Sequence, residues 1–257
     1  RDLLTNAQHE KSGPPQDKAT IVLTDIEGST ALWEADAVAM REGQHLHDQI
    51  VRQVSNKYAG YEITTEGDSF HLAFHDPVDA FHFALEAQVA LQHAGWSTNI
   101  LRLPGACHDE QGSIRGLRVR MAIHSGPVTA TTNEVSGRRE YFGETTNITK
   151  SIEKMAHGGQ ILATFETWNI VAYLSESMLG SPQVMDLGGH VLQKGPKPFD
   201  GVIAKQIVQL VPSDLAFDYF AARRICDGMP SGSEDSGFGA PLTPSSVHTG
   251  RQFRPVL

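Results

Sequence analysis

Cysteine is nearly absent from this chain: two among 257 residues, Cys107 and Cys226, with no CxxC or zinc-type spacing. That excludes a disulfide framework and points to a reducing compartment. Basic residues are also in deficit. Lys and Arg number 21 against 30 Asp and Glu, a formal net charge of −9. No broad basic face is therefore expected, and nucleic acid is not an expected partner. A small polyanion stays compatible with this charge, because it needs only a few local cations or metal ions. No apolar run approaches the roughly 18 residues needed to cross a bilayer. The first residue is Arg1 rather than Met, so the chain is expected to be a piece of something longer. An upstream membrane anchor stays open.

What is present is ordinary for a globular protein: 40% hydrophobic and 20% charged residues, enough for a sizeable core. Residues 1–18, with "KSGPPQDK", read as a linker. Residues 19–212 read as one catalytic-sized domain, and 213–257 as an extension whose "PSGSEDSGFGAPLTPSSVHTG" is compositionally disordered. Within the domain, "ATIVLTDI" reads as a buried strand. Helical spacing runs from about Ser29 to Tyr58, with Ser29 or Thr30 as N-cap. "GYEITTEGDSFHLAFH" reads as two strands over a turn at Glu66-Gly67-Asp68, and a helix opens on Pro77. Residues 97–115 read as an irregular insertion. "GLRVRMAIHSGPVTATT" gives a strand, a Ser-Gly-Pro turn and another strand. Helices over 144–155 and 165–174 and two late strands around "QKGPKPFDG" follow.

This order predicts an α+β fold with a ferredoxin-like βαββαβ core, an antiparallel sheet and flanking helices. It puts Asp25 at the end of the first strand and Asp68 in the turn between strands two and three, at one sheet edge. Two ionised aspartates facing each other repel unless a cation lies between them. Mg²⁺ or Mn²⁺ suits such oxygens, and a pair of such ions serves phosphoryl chemistry. The metal set is expected to be Asp25, Ile26 and Asp68. The turn from Ile26 to Thr30, with Glu27, Gly28, Ser29 and Thr30, leads into a helix and is expected to point backbone N–H groups at phosphates. The alternative is that Asp25 caps the following helix and Asp68 sits in a surface turn.

"LTDIEGST", "EGDSF", "LRVRMAIHSGPV" and "YFGETTNITKSIEKM", in this order, resemble the class III adenylyl/guanylyl cyclase catalytic domain over roughly residues 18–210. The start "TDIEGSTALW" and the insertion before "GLRVR" resemble the trypanosomatid and algal forms. The resemblance implies two Mg²⁺ or Mn²⁺ ions per site and a nucleoside triphosphate substrate, with ATP favoured over GTP. It also implies a head-to-tail dimer with composite sites, facing the cytoplasm. The phosphate-binding arginine would be Arg120 and the phosphate-binding lysine Lys194, with Lys197 as the alternative register. Asn147 would serve the transition state, with Lys150 one turn along.

Three positions depart from that pattern. The transition-state arginine is replaced by Ser151, the base-reading lysine by Thr64 and the base-reading aspartate by Glu140. The resemblance implies that all three positions belong to the second subunit's side of a composite site. Three outcomes are compatible with these departures: an active homodimeric cyclase, a metal-bearing half that needs a different cyclase subunit, or a nucleotide-binding module. The histidines, His124 included, are read as non-catalytic.

Overall fold

The computed structural model describes residues 13–106, 115–197 and 200–215. Both cysteines and the extension beyond residue 215 lie outside these residues. The first strand, β1 (Lys18–Ile26), is buried almost throughout. Helices α1 (Ser29–Ala35) and α2 (Ala37–Lys57) follow, then strands β2 (Tyr61–Glu66) and β3 (Ser69–Phe74). Helix α3 (Pro77–Gln92) leads to β4 (Val119–Pro127). The hairpin β5 (Thr129–Thr132) and β6 (Arg139–Phe142) precedes α4 (Glu144–Met155). Strand β7 (Ile161–Thr164), helix α5 (Phe165–Val171) and strands β8 (Gln183–Gln193) and β9 (Val202–Val211) complete the domain.

The sheet runs β2-β3-β1-β4-β7-β9-β8, with β5–β6 as a separate hairpin. Its first four strands are antiparallel and have the ferredoxin-like order. Beyond this antiparallel core one pair is parallel, β4 with β7. That connection passes through α4, the crossover that a parallel pair requires.

One face of the sheet buries Val22, Ile26, Phe70, Leu72, Met121 and Ile123 against α2, α3 and α5. The other face carries α4, whose Ile148 and Ile152 pack on Ala122, Leu162 and Ile207. Side chains alternate along β1. With Val22 and Ile26 on the first face and Ile21 and Leu23 on the second, Asp25 falls on the α4 face.

The expected helix from Ser29 to Tyr58 is two helices. Asp36 has extended backbone, and its carboxylate accepts from the N–H groups of Val38 and Ala39, so it ends one helix and caps the next. The expected N-cap at Ser29 or Thr30 is also displaced. Gly28 caps α1 at φ 72° without a side-chain bond, a conformation that glycine adopts without steric cost. The Ser-Gly-Pro stretch is not a turn but the end of β4, where Pro127 pairs with Lys18. Within the expected linker, Gly13 and Pro15 carbonyls accept from His75 and Tyr141. The insertion opens as a 3₁₀ turn with Ile100, Leu103 and Ala106 buried in the core.

Candidate active site

Strand pairing brings the two aspartates together. Asp25 ends β1 opposite Arg120 of β4, while Thr24 pairs with Phe70, two residues beyond Asp68. Gly67, at φ 65°, lets the β2–β3 turn close tightly enough to bring Asp68 back over β1. There Asp68 Oδ2 accepts from the Ile26 N–H at 3.1 Å. Burial is the main force raising the Asp68 pKa, and the nearby Asp25 charge adds to it. The Ile26 N–H and the Ser29 hydroxyl, both bonded to the carboxylate, oppose the rise. Ser29 thus serves Asp68 rather than capping α1.

Arg120 lies across these groups. Its Nε and Nη2 donate to Asp25 Oδ2 at 3.0 and 2.6 Å, and its Nη1 donates to the Ala156 carbonyl at 3.5 Å. Glu153 of α4 places Oε1 2.6 Å from Arg120 Nε. Burial is the largest influence raising the Glu153 pKa; Arg120 pulls it down, and Asp25 and Asp68 push it up. A second ionic group backs the turn. Glu27 pairs with Arg118 at 2.7 Å and lies 3.3 Å from His157, and its N–H donates to the Arg118 carbonyl. Two N–H groups of the expected phosphate turn, those of Ile26 and Glu27, are therefore committed within the chain. The Glu27 carboxylate faces Arg118 and the His157 ring. That corrects the expectation that the whole turn from Ile26 faces phosphate.

The remaining predicted residues form other groups. Asn147 donates to the Lys194 carbonyl at 3.0 Å, and the Lys194 ammonium lies 3.5 Å from Glu144. Ser151 donates to the Asn147 carbonyl at 3.0 Å and accepts from the Gln193 N–H at 3.3 Å. Thr64 pairs with His71 on the α4 face, where the exposed Lys150 acts on His71 electrostatically. Glu140 accepts from Asn133 within the β5–β6 hairpin at 2.7 Å. Lys197 lies in the β8–β9 turn, its N–H bonded to Asp200.

Sequence reasoning missed Glu153, Arg118 and His157. The signal for Glu153 was available: it lies four residues after the buried Thr149, on the inward side of an amphipathic helix. A carboxylate there needs a cation.

Among the described residues no cluster of three or more His, Cys, Asp or Glu has metal-ligand geometry. The donor set here is two carboxylates and the adjoining backbone, which fits a hard cation completed by oxygens of a bound phosphate. A cleft of about 440 Å³ lies away from the aspartates, towards the Ser125–Pro127 end of β4, lined by His124, Ser125, Thr145, Ile148, Glu166 and Lys205 among others. His124 is buried, bonded to Thr164 at 2.9 Å, and burial holds its pKa down at about 4.

Residues 12–193 match the family model for the adenylate and guanylate cyclase catalytic domain. The chain belongs to this family. A receptor-type adenylate cyclase of Trypanosoma brucei brucei is 34% identical over 216 residues, which is 75% of this chain and 17% of the relative. The adenylate cyclase of Lachancea kluyveri is 38% identical over 152 residues, 58% of this chain and 8% of the relative. The cyclase domain thus spans a small part of these curated relatives. Among solved structures, a Trypanosoma brucei adenylate cyclase in its monomeric state superposes with a TM-score of 0.66 at 31% identity. It covers 78% of this chain and 92% of that one. Cyclase domains of this family use divalent metal ions. Among the described residues, no helix of this domain is long and apolar enough to cross a membrane.

Proposed function

We propose that this cyclase domain converts ATP to 3′,5′-cyclic AMP and pyrophosphate at a dimer interface on the cytoplasmic face of a longer protein. The observation that carries the reading is the convergence of Asp25 and Asp68 at adjoining strand ends, on the face that also holds Arg120. In this reading Asp25, Asp68 and the Ile26 backbone hold Mg²⁺ or Mn²⁺, two ions per site. Such ions, when bound, activate the 3′-oxygen and stabilise the leaving pyrophosphate. The O3′–Pα bond forms, the bond from Pα to the β-phosphate oxygen breaks, and the hydroxyl proton passes to solvent.

The chain's own residues hold the triphosphate. Gly28, Ser29 and Thr30 line its turn, and Arg120 with Lys194 supplies cationic donors. Asn147 and Lys150 serve the transition state, and Thr64 and Glu140 read the base. The names of the relatives, adenylate cyclases, support ATP over GTP. Purified chain with Mn²⁺ and either nucleotide tests the reading: cyclic AMP from ATP, lost in Asp25→Ala and Asp68→Ala, is expected. Product from GTP alone would overturn the choice of base. Equal product from both variants would overturn the site.

A second reading is favoured by one observation: Ser151, where the resemblance expects an arginine, is spent on intrachain bonds to Asn147 and Gln193. The chain then acts as the metal-bearing half, and a different subunit supplies Lys, Asp and Arg. Mixing it with a complementary cyclase subunit should raise turnover far above the sum of the two alone.

A further inference from the structure

The contacts of Arg120 are lopsided. It faces two carboxylates, yet its aligned N–H groups go to Asp25 and to the Ala156 carbonyl. Glu153 Oε1 is 2.6 Å from Nε but off the line of its N–H, and that oxygen is buried without a hydrogen-bond partner. A buried carboxylate oxygen without an aligned donor is costly. The guanidinium is thus hydrogen-bonded to Asp25 and only in ionic contact, without an aligned hydrogen bond, with Glu153. Asp25 and Arg120 are fixed by strand pairing and Glu153 by α4, so the part that can turn is the guanidinium.

We propose that Glu153 is a positioning residue for Arg120: it takes the guanidinium when a divalent cation claims Asp25. This rests on the reading of Asp25 and Asp68 as metal ligands. A cation arriving at Asp25 competes with Arg120 for the same oxygen. Without a second anion Arg120 would have either to block the cation or to leave the site. Glu153 gives it a place to go that is a side-chain rotation away. Held by Glu153 along its Nε edge, the guanidinium keeps its outer edge for the triphosphate. Arg120 thus guards the empty carboxylates and then serves the substrate, and Glu153 sets the balance between the two states.

The test is Mn²⁺ binding to the nucleotide-free full chain, read by the electron paramagnetic resonance of free aquo-Mn²⁺, with melting temperature measured alongside. Arg120→Gln should tighten Mn²⁺ binding about tenfold, because the competitor is gone, whereas nucleotide KM rises. Glu153→Gln should weaken Mn²⁺ binding about tenfold, because Arg120 then stays on Asp25. In the Arg120→Gln background the Glu153→Gln change should add less than about twofold. Glu153→Asp, which keeps the charge on a shorter arm, should fall between wild type and Glu153→Gln, and it serves as the second variant if Glu153→Gln folds poorly. Equal weakening in both backgrounds would mean that Glu153 acts through its field alone and would overturn the proposal. An unchanged Kd with a lowered melting temperature would also overturn it, by assigning a structural role. If wild type binds Mn²⁺ no better than Asp25→Ala, the metal-site reading fails and this inference falls with it. If Asp25→Ala loses binding but Glu153→Gln does not, only the inference fails.

Discussion

Two regions of α4 present polar groups in opposite conditions. Near its C-terminus, Glu153 and Arg120 meet Asp25 and Asp68 in a crowd of charges, with both Glu153 and Asp68 pushed up chiefly by burial. One turn earlier, Asn147, Ser151 and the Gln193–Lys194 backbone satisfy one another. The first region carries unresolved electrostatic tension, which a cation would relieve. The second is an internal tie between α4 and the end of β8. The contrast teaches that one region of α4 holds buried charge in competition while the other is tied into the fold.

The largest effect should come from breaking the tense region. Asp25→Ala or Asp68→Ala should lower cyclic nucleotide formation by about 10³ or more, since each removes a carboxylate proposed above to hold the metal. Initial rates with Mn²⁺ and ATP check this. Next, the tied region can be converted. Ser151→Arg, restoring the cation expected there, should raise kcat of the self-associated chain by about 10², the size of one positioned charge stabiliser. No gain in kcat would mean that the second-subunit side is not engaged in this way.

A smaller change tests the tie as structure. Ser151→Ala removes the acceptor that links α4 to β8 and a donor within α4, and should cost about 1 kcal/mol in denaturant unfolding. Its rate should change less than about twofold, against the tenfold steps of losing a functional contact. The smallest effect concerns pH. Asp68 is raised above its unfolded value, so the metal-free chain holds its full contribution below the unfolded carboxylate pKa. It loses stability as pH rises through the folded one. Asp68→Asn should flatten that fall and raise the neutral-pH melting temperature by roughly 2 °C, while abolishing the Mn²⁺ response. A steeper fall in the variant would reverse the assignment of tension to this region.

Much of this was legible in the sequence, for physical reasons. The continuous apolar run "ATIVLTDI" and the Glu66-Gly67-Asp68 turn fix the strand ends, and the βαββαβ order makes β1 and β3 neighbours. The meeting of Asp25 and Asp68 follows from pattern alone. What was not legible depends on side-chain competition. Helical spacing runs unbroken through Asp36, because a capping aspartate leaves no gap in periodicity. Ser29 looked like a cap, but its hydroxyl had a carboxylate to serve 39 positions away in the chain. Ser151 read as a lost arginine, and only the structure shows what the serine does instead. Glu27 read as part of a phosphate turn, whereas Arg118 and His157 hold it from the far side.

The most direct test of the account is complementation. A variant of this chain carrying Asp25→Ala with Thr64→Lys, Glu140→Asp and Ser151→Arg supplies the second-subunit residues but no metal site. Mixed with the wild-type chain, Mn²⁺ and ATP, it should yield cyclic AMP far above the sum of the separate rates. Mixed with the Asp68→Ala chain, it should yield none beyond that sum. Product that persists with Asp68→Ala, or no gain with wild type when the two chains demonstrably associate, would contradict the claim that this chain carries the metal-bearing half of a cyclase site.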